Sequence, residues 1–109
     1  MVAMNDIQSV VDRIAEAFDP ERIVLFGSHA RGTATGDSDV DLLVILAFEG
    51  KPFWKSLEIT NRVDPPFAVD LLARRPDDTQ RRYAQGDPLI REALDQGRVL
   101  YERSGARVD

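Results

Sequence analysis

Apolar positions near the start of the chain recur at the spacing of a helix. Ile7, Val10, Val11, Ile14, Ala15 and Phe18 share one stripe and predict an amphipathic helix over residues 6–18, with Asn5 as N-cap and Gln8 three residues later. Asp19-Pro20 ends it, because the residue before a proline avoids helical geometry. The pattern then changes. Ile23-Val24-Leu25-Phe26 is a short unbroken apolar run that reads as a buried strand. Gly27-Ser28 closes it, followed by a helical turn over 28–31 and a polar loop over 32–38. Residues 40–47 form a second run, interrupted only by Asp41, the pattern of a central strand covered on both faces.

A helix is predicted over 52–62, with Phe53, Trp54, Leu57 and Ile59 as its buried side, closed by Asp64-Pro65-Pro66. Residues 67–72 read as a third strand, again broken by one acid, Asp70. A polar helix opens at Arg74-Arg75-Pro76 and ends near Gln85-Gly86; Asp87-Pro88 caps a further helix through Asp95, with Gly97 as its stop. Val99-Leu100-Tyr101 supplies a last short strand, and residues 104–109 a frayed tail. Helices and strands so interleaved within 109 residues describe one α/β (α+β) domain.

Composition narrows the chemistry. Cysteine is absent and His29 is the sole histidine, which excludes disulfide scaffolds, cysteine zinc sites and histidine-rich metal sites. Carboxylates remain. The net charge of −5 has the wrong sign for a protein whose affinity rests on neutralising many phosphates, so a nucleic-acid partner is disfavoured. The longest apolar run, 42–48, is too short for a bilayer, and the first residues lack the regions of a signal peptide. The expected compartment is the cytoplasm, without a membrane partner.

Asp39 and Asp41 stand two apart at the entrance of the second strand, so both carboxylates project from one face while Val40 and Leu42 point the other way. Two like charges so close repel each other, and burial without partners would cost several kcal/mol, about 2–7 for an uncompensated polar group. A divalent cation resolves both problems, and oxygen-only ligation favours Mg2+ or Mn2+. Asp70 is a third acid, placed to lie on an adjacent strand. Three such carboxylates can hold two ions roughly 3.5–4 Å apart, the arrangement used for in-line nucleotidyl displacement. Gly27 lets backbone N–H groups approach an anion closely, Ser28 adds a hydroxyl, and Arg31 a guanidinium for phosphates or the leaving group.

Phe26-Gly27-Ser28-His29-Ala30-Arg31-Gly32, followed by Ser38-Asp39-Val40-Asp41-Leu42, resembles the signature of the minimal (MNT) branch of the DNA polymerase beta-like nucleotidyltransferase superfamily. The resemblance spans nearly the whole chain and assigns residues 1–103 to the nucleotidyltransferase domain. It implies a small mixed β-sheet with helices packed on one side. It also implies that Asp39 and Asp41 ligate both metal ions, that Asp70 ligates the catalytic ion and helps deprotonate the acceptor, and that Gly27 and Ser28 hold the triphosphate of ATP. Members of this branch pair with a small helical HEPN ribonuclease toxin, acting as its antitoxin by transferring AMP to a tyrosine hydroxyl. Two other readings accompany this one: neutralisation of the toxin by binding alone, and transfer to a small-molecule hydroxyl. The short chain suggests an acceptor site completed by another chain, as homodimer or hetero-oligomer.

Blander readings exist for single residues. Gly27 and Gly32 serve equally as turn glycines, Asp37 as a turn cap, and His29 as a surface or phosphate-side residue. Phe53 and Trp54 read as core. Arg74, Arg75, Arg81, Arg82 and Arg91 form a basic excess suited to a solvated face or an acidic partner, and Tyr83 reads as exposed.

Overall fold

The computed structural model describes residues 2–104, so beyond Ser104 the expected tail lies outside the described residues. The elements are α1 (Met4–Phe18), β1 (Arg22–Phe26), α2 (Ser28–Arg31), β2 (Val40–Ile45), α3 (Pro52–Val63), β3 (Val69–Arg74), α4 (Pro76–Ala84), α5 (Pro88–Gln96) and β4 (Arg98–Glu102). The strands form one mixed sheet in the order β3-β2-β1-β4. β1 runs antiparallel to β2 and β4, whereas β2 and β3 are parallel, in register from Val40↔Val69 to Ile45↔Arg74.

The alternation of a strand explains two separate cores. Ile23, Leu25, Val40, Leu42, Val44, Leu71 and Ala73 face α1 and α3, meeting Ile7, Val10, Val11, Ile14, Ile59 and Val63. Val24, Phe26, Leu43 and Ile45 face the other way, onto Ile90 and Ala93 of α5. Helices therefore lie on both faces of the sheet, not on one. The strands require it, since β1 and β2 are apolar on both sides, and each fully buried aliphatic side chain contributes about 1.5–3 kcal/mol. No described helix is long and apolar enough to cross a membrane.

Several expectations shift in detail. α1 begins at Met4, and its N-cap is Ala3, without a side-chain cap; Asn5 lies inside the helix, where its carbonyl accepts from the Ser9 hydroxyl at 3.0 Å. Val2 and Met4 pack on the core, so packing sets this start. β3 lies two residues later than the apolar run, because its span is set by pairing with β2, and Phe67 packs on the core ahead of it. The α5 cap is as expected: the Asp87 carboxylate accepts from the N–H groups of Leu89 and Ile90. Gly97 ends α5 in extended geometry, and its lack of a side chain matters for space: a Cβ would run into the carbonyls of Ala93 and Leu25.

The clearest correction concerns α3. Phe53 and Trp54 are 65% and 62% exposed and Leu57 41%, while Ile59 and Val63 alone are buried. Ile59 and Val63 set the buried face of the helix, and Ser56 turns inward with them, its hydroxyl accepting from the Ala73 N–H at 2.9 Å.

Candidate active site

Asp41 opens β2 on the face that carries Leu43 and Ile45, opposite Val40 and Leu42. Parallel register sets Asp70 beside it on β3, and antiparallel register sets Phe26, the residue before Gly27, on its other flank. Asp39 stands just before β2. The chain thus gathers three carboxylates and the Gly27-Ser28 turn at one end of the sheet. Only Asp41 is partly buried; Asp39 and Asp70 are exposed. The desolvation cost expected for the Asp39/Asp41 pair applies to Asp41 alone. Its burial, then the charges of Asp70, Asp39 and Glu92, hold its carboxyl above the ordinary carboxylate range, offset in part by His29.

Gly27 has φ 73° and ψ −155°, a region that belongs to glycine. A second constraint is spatial. A Cβ at Gly27 would overlap the Asp41 Oδ2 atom and lie 3.0 Å from its carboxyl carbon. The glycine therefore makes room for the second aspartate of the Asp-x-Asp pair, which ties the two halves of the motif together physically. The Gly27 carbonyl accepts from the N–H groups of Ala30 and Arg31, both at 3.1 Å, and those of Ser28 and His29, which lead the turn, have no partner among the described residues.

Glu92, on α5, was not singled out by the sequence. Its carboxylate accepts from Arg31 Nη1 at 2.6 Å and raises the proton affinity of Asp41. No local pattern announces it, since 61 residues separate the pair. Arg31 is thus held at the site rim by an ion pair. His29 Nε2 lies 3.3 Å from the Ser38 carbonyl, and the loop before β2 is closed by Ser38, whose hydroxyl accepts from the Thr35 N–H at 2.9 Å, in place of the expected Asp37.

The downstream arginines form no free basic patch. Arg81 and Arg82 pair with Asp78, Arg82 also with Asp87, Arg75 binds the carbonyls of Phe48 and Gly50, and Arg91 lies 4.4 Å over the Tyr83 ring. The Tyr83 hydroxyl donates to Asp95 at 2.6 Å, which pushes its pKa up. Arg74 differs. Among the described residues its guanidinium donates to the Ala73 carbonyl at 2.8 Å and makes no ion pair.

The donor set is all carboxylate oxygen, which suits a hard divalent cation. Among the described residues, no three acidic or histidine side chains close a cage by themselves. That agrees with Mg2+, which takes one or two carboxylates and completes its shell with water and substrate phosphates. The repulsion among these carboxylates, which adds to burial in raising the Asp41 pKa, is the property such an ion would relieve.

Fold and site together define a nucleotide-transferring enzyme. The chain belongs to the nucleotidyltransferase domain family, whose profile matches residues 7–100. No curated protein matches the chain in sequence. Among solved structures, it is similar to a protein of Sulfolobus solfataricus provisionally described as a nucleotidyltransferase, with 20% identity, 95% of this chain and 84% of the other covered, and a TM-score of 0.64. It is also similar to a chain of a toxin–antitoxin complex crystallised with AMP-PNP, at 20% identity, covering 89% and 74%, with a TM-score of 0.58. A third is an MntA toxin–antitoxin complex in which two aspartates are replaced by glutamate, at 20% identity, covering 89% and 74%, with a TM-score of 0.56. These likenesses establish a shared α+β fold.

Proposed function

We propose that the protein transfers AMP from ATP to a hydroxyl of a partner protein, and that this partner is a HEPN ribonuclease toxin which the modification silences. The observation that carries the reading is the register of Asp41 with Asp70 beside a Gly27-Ser28 turn whose leading N–H groups are free. Likeness in fold to chains of toxin–antitoxin complexes supports the choice of partner.

In this mechanism the N–H groups of Ser28 and His29, the Ser28 hydroxyl and Arg31 hold the triphosphate. Asp39, Asp41 and Asp70 would hold divalent ions, Mg2+ or Mn2+, which supply neutralisation of the phosphate charge and acidify the acceptor hydroxyl. Asp70, at the exposed end, takes the acceptor's proton. The hydroxyl oxygen bonds to the α-phosphorus as the bond to the bridging oxygen breaks, and pyrophosphate leaves on the far side. The product carries a phosphodiester-linked AMP, adding bulk and negative charge to the partner. ATP as donor sets the reaction in the cytoplasm.

Labelled ATP and Mg2+ incubated with the chain and a HEPN protein encoded beside its gene test the reading. Wild type should label the partner and Asp39→Ala/Asp41→Ala should not. Full neutralisation of the toxin by the double variant would instead favour binding alone, and turnover of a small hydroxyl compound without partner would favour a small acceptor.

A further inference from the structure

β3 is an edge strand, and the hydrogen bonds of its inner side identify what its outer side presents. The carbonyls of Ala68 and Arg74 accept from the N–H groups of Val40 and Leu46, both at 3.0 Å, so even-numbered residues face β2 and Val69, Leu71 and Ala73 face outward. Ala73 is already satisfied, by the Ser56 hydroxyl and Arg74. Among the described residues, Val69 and Leu71 keep unpaired N–H and C=O groups, enough to hold one short strand. A groove of ≈ 490 Å³ runs along this edge, lined by Phe53, Leu57 and Thr60 on one side and by Asp70, Arg74 and Arg82 on the other. Trp54 packs edge-on against Phe53 of this lining, with ring centroids 5.0 Å apart.

We infer that an extended segment of the acceptor protein adds to this edge as a fifth strand and delivers its hydroxyl to Asp70. The inference rests on the transferase reading and specifies its acceptor. Side chains of an added strand alternate between faces. On one face they meet the exposed apolar surface of Phe53 and Leu57, and on the other they meet Asp70. The hydroxyl-bearing residue is therefore flanked by apolar neighbours. Arg74 stands four residues beyond Asp70 on the same strand and lacks an ion pair, roughly 13 Å along at the rise of a strand. It selects an acidic side chain four positions from the hydroxyl. This occupant satisfies the free edge, the exposed aromatics and the unpaired arginine together, whereas a second copy of this acidic chain would bring like charge to the site.

The chain carries one tryptophan, Trp54, so docking can be read by its fluorescence without ATP. The probe is a soluble synthetic decapeptide with one tyrosine between two leucines and a glutamate four positions away. It should bind, and with ATP and Mg2+ it should be adenylylated; replacing its tyrosine by phenylalanine should leave binding and abolish labelling. Phe53→Ser/Leu57→Ser should weaken binding, read by Trp54, and raise the peptide KM by about tenfold or more, with kcat and the thermal shift given by Mg2+–ATP unchanged. Arg74→Glu should invert the preference between glutamate and lysine peptides. Absent binding, or binding and labelling indifferent to both variants, overturns the docking site. Concentration-dependent self-association lost in Phe53→Ser/Leu57→Ser also overturns it, in favour of a second copy. Groove-dependent binding without any labelling upholds the docking site and removes the transferase reading instead.

Discussion

Asp41 is the residue under most electrostatic load. It is the only half-buried member of the acidic trio, and burial together with Asp70, Asp39 and Glu92 favours its protonated form. A carboxyl with a raised folded pKa binds its proton more tightly folded than unfolded. Its stabilising contribution is present below the unfolded value of 3.8 and is lost as pH rises through the folded pKa. Asp41→Asn should accordingly raise the melting temperature at neutral pH while abolishing transfer, and the gain should shrink as pH falls through the folded pKa. Calorimetry across a pH series checks it; an Asn variant less stable than wild type at neutral pH would falsify the assignment of strain to this carboxylate. Gly27 is coupled to the same atoms. Gly27→Ala places a Cβ in the space of Asp41 Oδ2 and a side chain in a glycine-only region, at a cost of about 1–3 kcal/mol for the backbone alone. The expected outcome is a less stable protein with no transfer, in which Asp41→Asn no longer raises stability, because the aspartate has already been displaced.

At the scale of elements, the site is completed by α5, whose Glu92 draws Arg31 into an ion pair. Both side chains are more than a third exposed, so the pair is worth under about 1 kcal/mol of stability. Its weight is functional. Glu92→Gln should lower the KM for ATP by releasing Arg31 and shift the acid limb of the pH–rate profile downward, since one charge that raises the Asp41 pKa is gone. Arg31→Ala should raise the KM for ATP, and Arg31→Ala/Glu92→Gln should match Arg31→Ala in that KM while keeping the downward shift of the acid limb, which acts through Asp41. Steady-state kinetics at several pH values separate these outcomes. That α5 joins the site was not legible in the chain: Asp87 announces the helix and Ile90 its buried side, but nothing local says which strand end Glu92 will face. The closeness of the Asp-x-Asp pair, by contrast, was readable from its spacing, although only Asp41 lies within β2 and Asp39 stands just before it. α3 shows the limit of apolar patterning. Phe53, Trp54 and Leu57 look like core by composition, yet Ile59, Val63 and the inward Ser56 set the helix phase, and the aromatics are left outside.

Across the whole molecule, packing and chemistry divide along the sheet. The two cores hold the strands from both faces, and the acids sit together at one end of the sheet, beside the core residues Val40 and Phe26. Three of the nineteen acidic side chains, Asp39, Asp41 and Asp70, are thus concentrated at one place, where in the proposed mechanism an ion bound with nucleotide would neutralise them. The consequence is a coupling between ligands. On the proposed mechanism Mg2+ alone would meet open carboxylates and bind weakly, ATP alone would meet an acidic rim, and each would remove the other's obstacle. Melting curves should therefore show little shift with either alone and a cooperative rise with both, on the order of 2.7 kcal/mol of stabilisation when the complex stands at 100 times its Kd. Asp39→Ala/Asp41→Ala should lose the metal dependence but not all affinity for ATP, because the N–H groups of Ser28 and His29 remain and the repelling charges are gone. A shift with ATP that is equal with and without Mg2+ in the wild type would place the nucleotide away from these acids, and would require the phosphate role of the Gly27-Ser28 turn to be abandoned.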